Sequence, residues 1–305
     1  VYPNLHANLT DDSQLHVQAF LYARQFYQYW HSRGLDFAMD WCGLLHLASN
    51  TLLQQRQQKL MEKALWPTEL VQAVNASEAS AIAGLELPHS GIYLPLAGWL
   101  SPQQFCLQAL QHLQQQKSFR FSPHCTVQAI KQHSSGWLLD SSAGDIHSAI
   151  LVLACGSKLA EFVPTAQLPL NKIRGQVSNV QAGAMAPLKT VLCHKGYITP
   201  QWQNLHSVGA TFDRNATEAF ISEQDNSENL QLVQQQLQQP AWFAAAKVTE
   251  ATAAFRATLP DHLPLVGTPA GQQNLYLIGA MGARGIMLSP LLAELLACQI
   301  CAEPL

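Results

Sequence analysis

Arg256-Ala-Thr-Leu-Pro-Asp-His-Leu-Pro-Leu-Val-Gly267, followed by Asn274-Leu-Tyr-Leu-Ile-Gly-Ala-Met-Gly-Ala-Arg-Gly-Ile-Met-Leu-Ser-Pro290, is the part of the chain that says most about its fold. A lone arginine precedes a tight polar turn, and an apolar strand then breaks into a glycine-rich bend that opens a helix. Glycine lets the backbone come close to a ligand, and the first turn of a helix offers unpaired N–H groups and the positive end of its dipole. The layout suits an anionic or flavin-type ligand lying against a strand-to-helix turn.

Composition narrows the classes open to the chain. At 305 residues, with 48% hydrophobic and 12% charged residues, it has the profile of a compact enzyme-like protein of one or two domains. Apolar runs such as 149–155 and 275–280 are of strand length, so no membrane span is expected. Val1-Tyr-Pro-Asn-Leu-His lacks the basic start and apolar stretch of a signal peptide, which makes a cytoplasmic location the default. A formal charge of −3, with 17 thinly spread basic residues, does not announce nucleic acid; an RNA substrate would need a local patch or another domain. The seven cysteines follow no framework spacing and are expected to be reduced. Cys298 and Cys301 form a single C-x-x-C pair, which reads as two small buried residues and not as a metal or redox site.

Periodicity organises the rest. Leu15, Ala19, Tyr22, Phe26 and Tyr29 recur at helical steps, predicting a helix over 12–33 with these residues as its buried stripe and Gly34 as its stop. Residues 41–47 read as a strand and 54–65 as a helix ended by Pro67. Residues 91–100 form a strand and turn. Ser101 and Pro102 then stand as N-cap and first residue of a helix buried through Phe105, Ala109, Leu110 and Leu113. A short central strand is expected at 119–121 and a hairpin or meander at 126–130 and 137–140. A strand over 146–156 should follow, whose run Ile150-Leu-Val-Leu-Ala154 suits burial on both faces. Strands at 175–180, 190–193, 197–199 and 207–211, with no long helix between them, predict an antiparallel sheet. Residues 223–237 form a glutamine-rich helix, and the glutamines at 54–58, 111–116 and 234–239 read as solvated faces. The fold class is therefore α/β plus antiparallel β in two discontinuous domains, one made of 1–34, 98–165 and 256–305, the other of 35–97 and 166–255.

Four segments, Gly98-Trp-Leu-Ser-Pro102, Leu151-Val-Leu-Ala-Cys-Gly156, Arg174-Gly-Gln-Val177 and the two carboxyl-terminal motifs, resemble the amino-acid and amine oxidase superfamily of flavoproteins, which includes glycine and D-amino-acid oxidases. Within it, Tyr2-Pro3, Asp40-Trp-Cys-Gly43, Gly98-Trp-Leu100, Gly175-Gln-Val-Ser178, Asp261-His-Leu-Pro264 and Ala283-Arg-Gly285 are similar, in order and spacing, to the flavin domain of the bifunctional bacterial enzymes that make 5-methylaminomethyl-2-thiouridine at the tRNA wobble position. The similarity covers essentially all 305 residues. It implies an FAD-binding domain with a discontinuous antiparallel substrate domain, a tRNA substrate, and a methyltransferase domain in the full-length enzyme. The family begins its flavin domain with a strand, a G-x-G-x-x-G turn, a helix and a second strand ending in an acidic residue. The sequence starts after that unit and so reads as a truncated piece without the usual seat for adenine and pyrophosphate; the glycines of 279–285 have the wrong spacing to replace it. Pro260 and Ala283 also depart from the family, which often has arginine and serine there.

The resemblance implies oxidative removal of the carboxymethyl group from 5-carboxymethylaminomethyl-uridine, leaving the 5-aminomethyl base and glyoxylate. Arg256 would bind the substrate carboxylate through its guanidinium fork, five residues before Asp261 as in related glycine oxidases. A surface arginine, or one paired with Asp261, is the plain alternative. Tyr197 resembles a tyrosine that helps hold the amino acid in those oxidases, and is also an ordinary half-buried strand aromatic. The resemblance places Gly282, Ala283, Arg284, Gly285 and Ile286 against the flavin ring or ribityl chain. It puts Gly175 and Gln176 on a strand passing the flavin, and Val127, Ala154, Cys155 and Gly156 near the adenosine half. His262, in a Pro-flanked turn, reads as structural. Two other functions stay open: a flavin oxidase of free glycine-like amino acids, and a catalytically silent fragment.

Overall fold

The computed structural model describes residues 1–193, 195–237 and 240–304. The chain divides into two compact units, one of Val1–Phe20, Phe37–Pro102 and Arg174–Ala254, the other of Leu21–Asp36, Gln103–Ile173 and Phe255–Leu305. Residues 1–20 thus group with the antiparallel strands, whereas the sequence pattern assigns them to the α/β part.

The first unit is built on an eight-stranded sheet in the order Val248–Thr258, Asn171–Gln181, Leu205–Gly209, Tyr197–Ile198, Val191–Cys193, Leu44–Leu47, Gly91–Leu94 and Gln72–Val74. Val191–Cys193 runs parallel to Leu44–Leu47 and antiparallel to Tyr197–Ile198; Leu205–Gly209 is antiparallel to both Asn171–Gln181 and Tyr197–Ile198, and Gly91–Leu94 to both Leu44–Leu47 and Gln72–Val74. Alternation along the strands separates two apolar clusters. Leu45, Leu192, Ile198 and Val208 share one with Val233, Leu237 and Trp242. Leu44, Val191, Cys193, Ile92 and Tyr197 share the other with Leu60 and Trp66.

Helix Glu223–Leu237 covers a polar patch of this sheet. Arg174 Nη1 bonds Asp225 at 2.6 Å with both side chains largely buried. Gln176 Oε1 accepts from Arg174 and from Ser222 N, while its Nε2 donates to Ser222 O and Asn226 Oδ1, both at 2.8 Å. Each buried polar group thereby regains the partner that water supplied in the unfolded chain. Removing one ion of such a pair costs about 3–5 kcal/mol, because the other is left buried and alone.

In the second unit Leu275–Gly279 lies parallel to Leu151–Leu153 and antiparallel to Leu265–Gly267. A separate meander is formed by Val127–His133, Gly136–Ser141 and Ile146–Ser148. Trp137, Leu153, Leu159, Leu275 and Leu277 make the core between them.

Several expectations are corrected. Residues 119–121 form no strand, and the stretch 146–156 is two strands in two different sheets. Val152 is 40% exposed, so Leu151–Leu153 is covered on one face only. The strand expected at 41–47 begins at Leu44. Helix Asp11–Ser32 buries Ala19, Phe20, Ala23 and Tyr27, a face rotated from the expected stripe; Tyr29 is exposed. Tyr22, Phe26 and Trp30 instead form a ring row, with Phe26 set edge-on to Phe105. Helix Pro102–Gln114 has no fully buried residue, and Leu113 is exposed. Gln57 and Gln236 are buried and not solvated, Gln57 donating to His46 O at 2.8 Å; Gln238 and Gln239 of the last glutamine cluster lie outside the described residues. Cys298 is buried but Cys301 is exposed. The span Gly282–Cys301 is, by length and composition alone, long and apolar enough to cross a membrane, contrary to the strand-length runs read from the sequence; its Met287, Leu288, Leu292 and Leu296 are buried within the protein.

Candidate active site

Two parallel strands create the site in the second unit. Leu151–Leu153 and Leu275–Gly279 pair in register, Leu153 opposite Leu277, so the segments after them, 154–156 and 280–285, emerge at the same carboxyl edge. Ligands of open α/β sheets bind at that edge. Ala154, Cys155 and Gly156 are exposed there, and Gly156 takes a φ of +56°. Across from them Ala280 and Gly282 both have a φ of +55°.

Gly282 is required twice over. Its φ disfavours a side chain, and a Cβ would come within 3.0 Å of Thr258 Cγ2. That contact exists because Thr258, the last residue of Val248–Thr258, bridges to Met281. Arg256 lies two residues back, hence on the same side of the strand and about 7 Å from Thr258 along it. The strand Val248–Thr258 crosses from the first unit into the second at Phe255, so Arg256, Thr258 and the glycine bend all belong to the second unit.

Helix Gly285–Cys301 starts at this bend with no side-chain cap, Arg284 N donating to Met281 O at 3.0 Å. First-turn N–H groups of a helix without a side-chain cap are the kind that a ligand can use. The turn is held from behind by Tyr27. Pro290 has no N–H to give to Ile286 O four residues earlier, and the Tyr27 hydroxyl donates to that oxygen instead, at 2.9 Å. Burial pushes the Tyr27 phenol up to about 12, and a bond from Ser289 opposes that rise. Neither Tyr27 nor Thr258 was singled out by sequence; an uncompensated proline inside an apolar helix was the available signal for the first.

Val127 opens the meander and packs against the core of this unit. Tyr197, Gly175 and Gln176 belong to the other unit. Tyr197 is half-buried, opposite Cys193 and Gly209, and shares its cluster with Trp99 and Cys42. Gln176 sits on the opposite sheet face, its carboxamide fully engaged beneath helix Glu223–Leu237, so its side chain is not open to a cofactor. His262 is exposed at a φ of +62° in a turn where Asp261 Oδ1 accepts from Leu263 N at 3.0 Å.

Comparison with known proteins gives the family and the fold. Residues 4–299 match the family described as DAO, FAD dependent oxidoreductase. A tRNA 5-methylaminomethyl-2-thiouridine biosynthesis bifunctional protein of Pseudoalteromonas atlantica is 33% identical over 354 residues, covering 100% of this chain and 50% of its own length. Its counterpart in Pseudoalteromonas translucida is 32% identical over 332 residues, with the same coverage. The chain spans about half the length of these curated relatives. Among solved structures, glycine oxidase from Geobacillus kaustophilus superposes with a TM-score of 0.84 at 21% identity, over 97% of this chain and 81% of that one. The fold is that of the glycine oxidase-like flavoproteins. The residues at the carboxyl edge are compatible with FAD: a glycine bend leads into a helix whose first turn has no side-chain cap, the kind of terminus that receives a polar cofactor edge. No G-x-G-x-x-G turn for the dinucleotide half occurs in the 305 residues.

Proposed function

We propose, because the chain belongs to the FAD-dependent oxidoreductase family, that it oxidises the carboxymethylaminomethyl side chain of a modified uridine at the tRNA wobble position. Two electrons and a proton would leave the carboxymethyl carbon for the acceptor, and water would split the resulting imine, so that the carboxymethyl group leaves as glyoxylate and the base keeps a 5-aminomethyl group. The observation that carries this reading is the similarity along the whole chain to proteins named for tRNA 5-methylaminomethyl-2-thiouridine biosynthesis.

FAD, when bound, supplies the two-electron acceptor. The residues of this chain bind and orient. Arg256, next to the bend, receives the carboxylate through two parallel charge-assisted bonds and stays charged at any working pH. Tyr197 helps to hold the substrate. Arg284 and the first-turn N–H groups of Gly285 and Ile286 face the cofactor's polar edge, with Val127 and 154–156 toward its adenosine half. Orientation of the C–H bond beside the neutral amine is the main demand on the protein, and no acid–base dyad is required. In this assignment 1–34, 98–165 and 256–305 hold the cofactor, 35–97 and 166–255 hold the substrate, and a methyltransferase domain acts on the product in the full-length enzyme.

The test is incubation of the FAD-reconstituted chain with tRNA containing 5-carboxymethylaminomethyl-uridine, followed by mass spectrometry of the digested nucleosides. The expected outcome is the 5-aminomethyl nucleoside with one glyoxylate per base. Unchanged nucleoside, accompanied by peroxide from free glycine or sarcosine, would replace this reading with that of an amino-acid oxidase. A chain that takes up no flavin would be the silent fragment.

A further inference from the structure

The helix Thr51–Lys63 carries a feature that the oxidation chemistry does not use. At 100° per residue, Leu52, Arg56, Lys59 and Lys63 fall within about 60° of one another around its axis, along roughly 16 Å of its length, the three cations along roughly 10 Å. All four are exposed, Leu52 by 55%. Among the described residues none of the three cations has an ion-pair partner. Glu62, the acid of this helix, lies about a quarter turn away from the centre of the stripe, and its Oε1 accepts from Gln58 at 2.7 Å.

Three like charges at three- and four-residue steps repel one another and weaken a helix. They lie within about one Debye length at 0.1 M salt, so they act on a ligand together. Lys63 has a local justification at the helix carboxyl end, whose dipole favours cations; Arg56, two turns earlier, has none. Leu60, on the flank of the stripe, and Met61, opposite it, pack into the cluster that contains Tyr197, Trp99 and Cys193. The basic stripe is thus the outer surface of the layer that covers the Tyr197 face of the sheet.

We propose that Arg56, Lys59 and Lys63 bind the phosphodiester backbone of the tRNA whose modified base is the substrate. The inference rests on the function proposed above. A polyanion relieves the mutual repulsion of the three cations, and each phosphate contact releases condensed counterions, which makes binding salt-dependent. In a chain of net charge −3 such a local patch is what RNA binding requires.

The experiment is fluorescence anisotropy of a labelled tRNA titrated with the full 305-residue chain and with the triple variant Arg56→Gln/Lys59→Gln/Lys63→Gln, at several salt concentrations. Circular dichroism checks that the variant keeps its fold, and Arg56→Lys should retain wild-type binding. The triple variant should bind on the order of 10- to 100-fold more weakly at low salt, and its slope of log affinity on log salt should be shallower by about 2 to 3. If the wild-type chain binds tRNA and the folded variant matches it in affinity and slope, this assignment falls and the proposed function stands. If the wild-type chain does not bind tRNA, both fall.

Discussion

At Gly282 the backbone has two reasons to disfavour a side chain, a left-handed φ and the methyl of Thr258, and the bend at 280–285 inherits its shape from both. Gly282→Ala should therefore destabilise the chain by about 1–3 kcal/mol and reduce FAD uptake, read by urea denaturation and by flavin absorbance after reconstitution. Gly285→Ala is the contrast, since a Cβ there meets only Met281 at 4.0 Å. It should keep the urea midpoint near wild type. Arg256 is the residue proposed above to meet the substrate carboxylate. Arg256→Lys keeps the charge and loses the fork, so, on the function proposed above, kcat/KM on the carboxymethylamino substrate should drop by about 2–3 kcal/mol, roughly 30- to 150-fold. Equal kcat/KM for the two proteins would remove Arg256 from the site.

Helices and strands show where local chemistry suffices. Glu223–Leu237 matches its sequence reading because acidic residues open it and leucine spacing sustains it. The bend at 280–285 was legible for the same reason, as glycine chemistry acting over a few residues. The segment 119–121 failed because an apolar triplet becomes a strand only when another strand pairs with it, and such pairing is not written in the triplet. The rotated face of Asp11–Ser32 failed because aromatic residues occupy two adjacent stripes, and which one is buried depends on distant neighbours. Tyr27 is the clearest case: its partner oxygen on Ile286 lies 259 positions away in the sequence. Tyr27→Phe should cost about 1–2 kcal/mol by leaving that carbonyl without a donor. In a Pro290→Ala background the helix supplies its own N–H, and the same substitution should cost much less. Additive effects in this double-mutant cycle would show that the hydroxyl does not stand in for the missing amide.

The response of the whole molecule to pH follows from its buried imidazoles. His206 is fully buried, its Nδ1 bonded to Thr199 O at 2.7 Å, and burial lowers its pKa, as it does for His46. A group whose folded pKa lies below its unfolded one takes up protons on unfolding, so stability rises with pH through the unfolded value of about 6.5 and falls as the medium is acidified below it. The urea midpoint should drop between pH 7.5 and pH 5, and His206→Gln should flatten that dependence; an unchanged profile would show that His206 titrates alike in both states. At this scale the existence of two interleaved units was readable from alternating strand and helix patterns. Their boundaries depend on contacts between segments far apart, as the grouping of 1–20 shows. The chain alternates between the units as six segments, hence five crossings. Leu151–Leu153 must wait during synthesis for Leu275–Gly279 to leave the ribosome before it gains its parallel neighbour. A polypeptide stopped before residue 275 would expose an unpaired apolar edge, and it would be a substrate for chaperones and proteases in place of a smaller working enzyme.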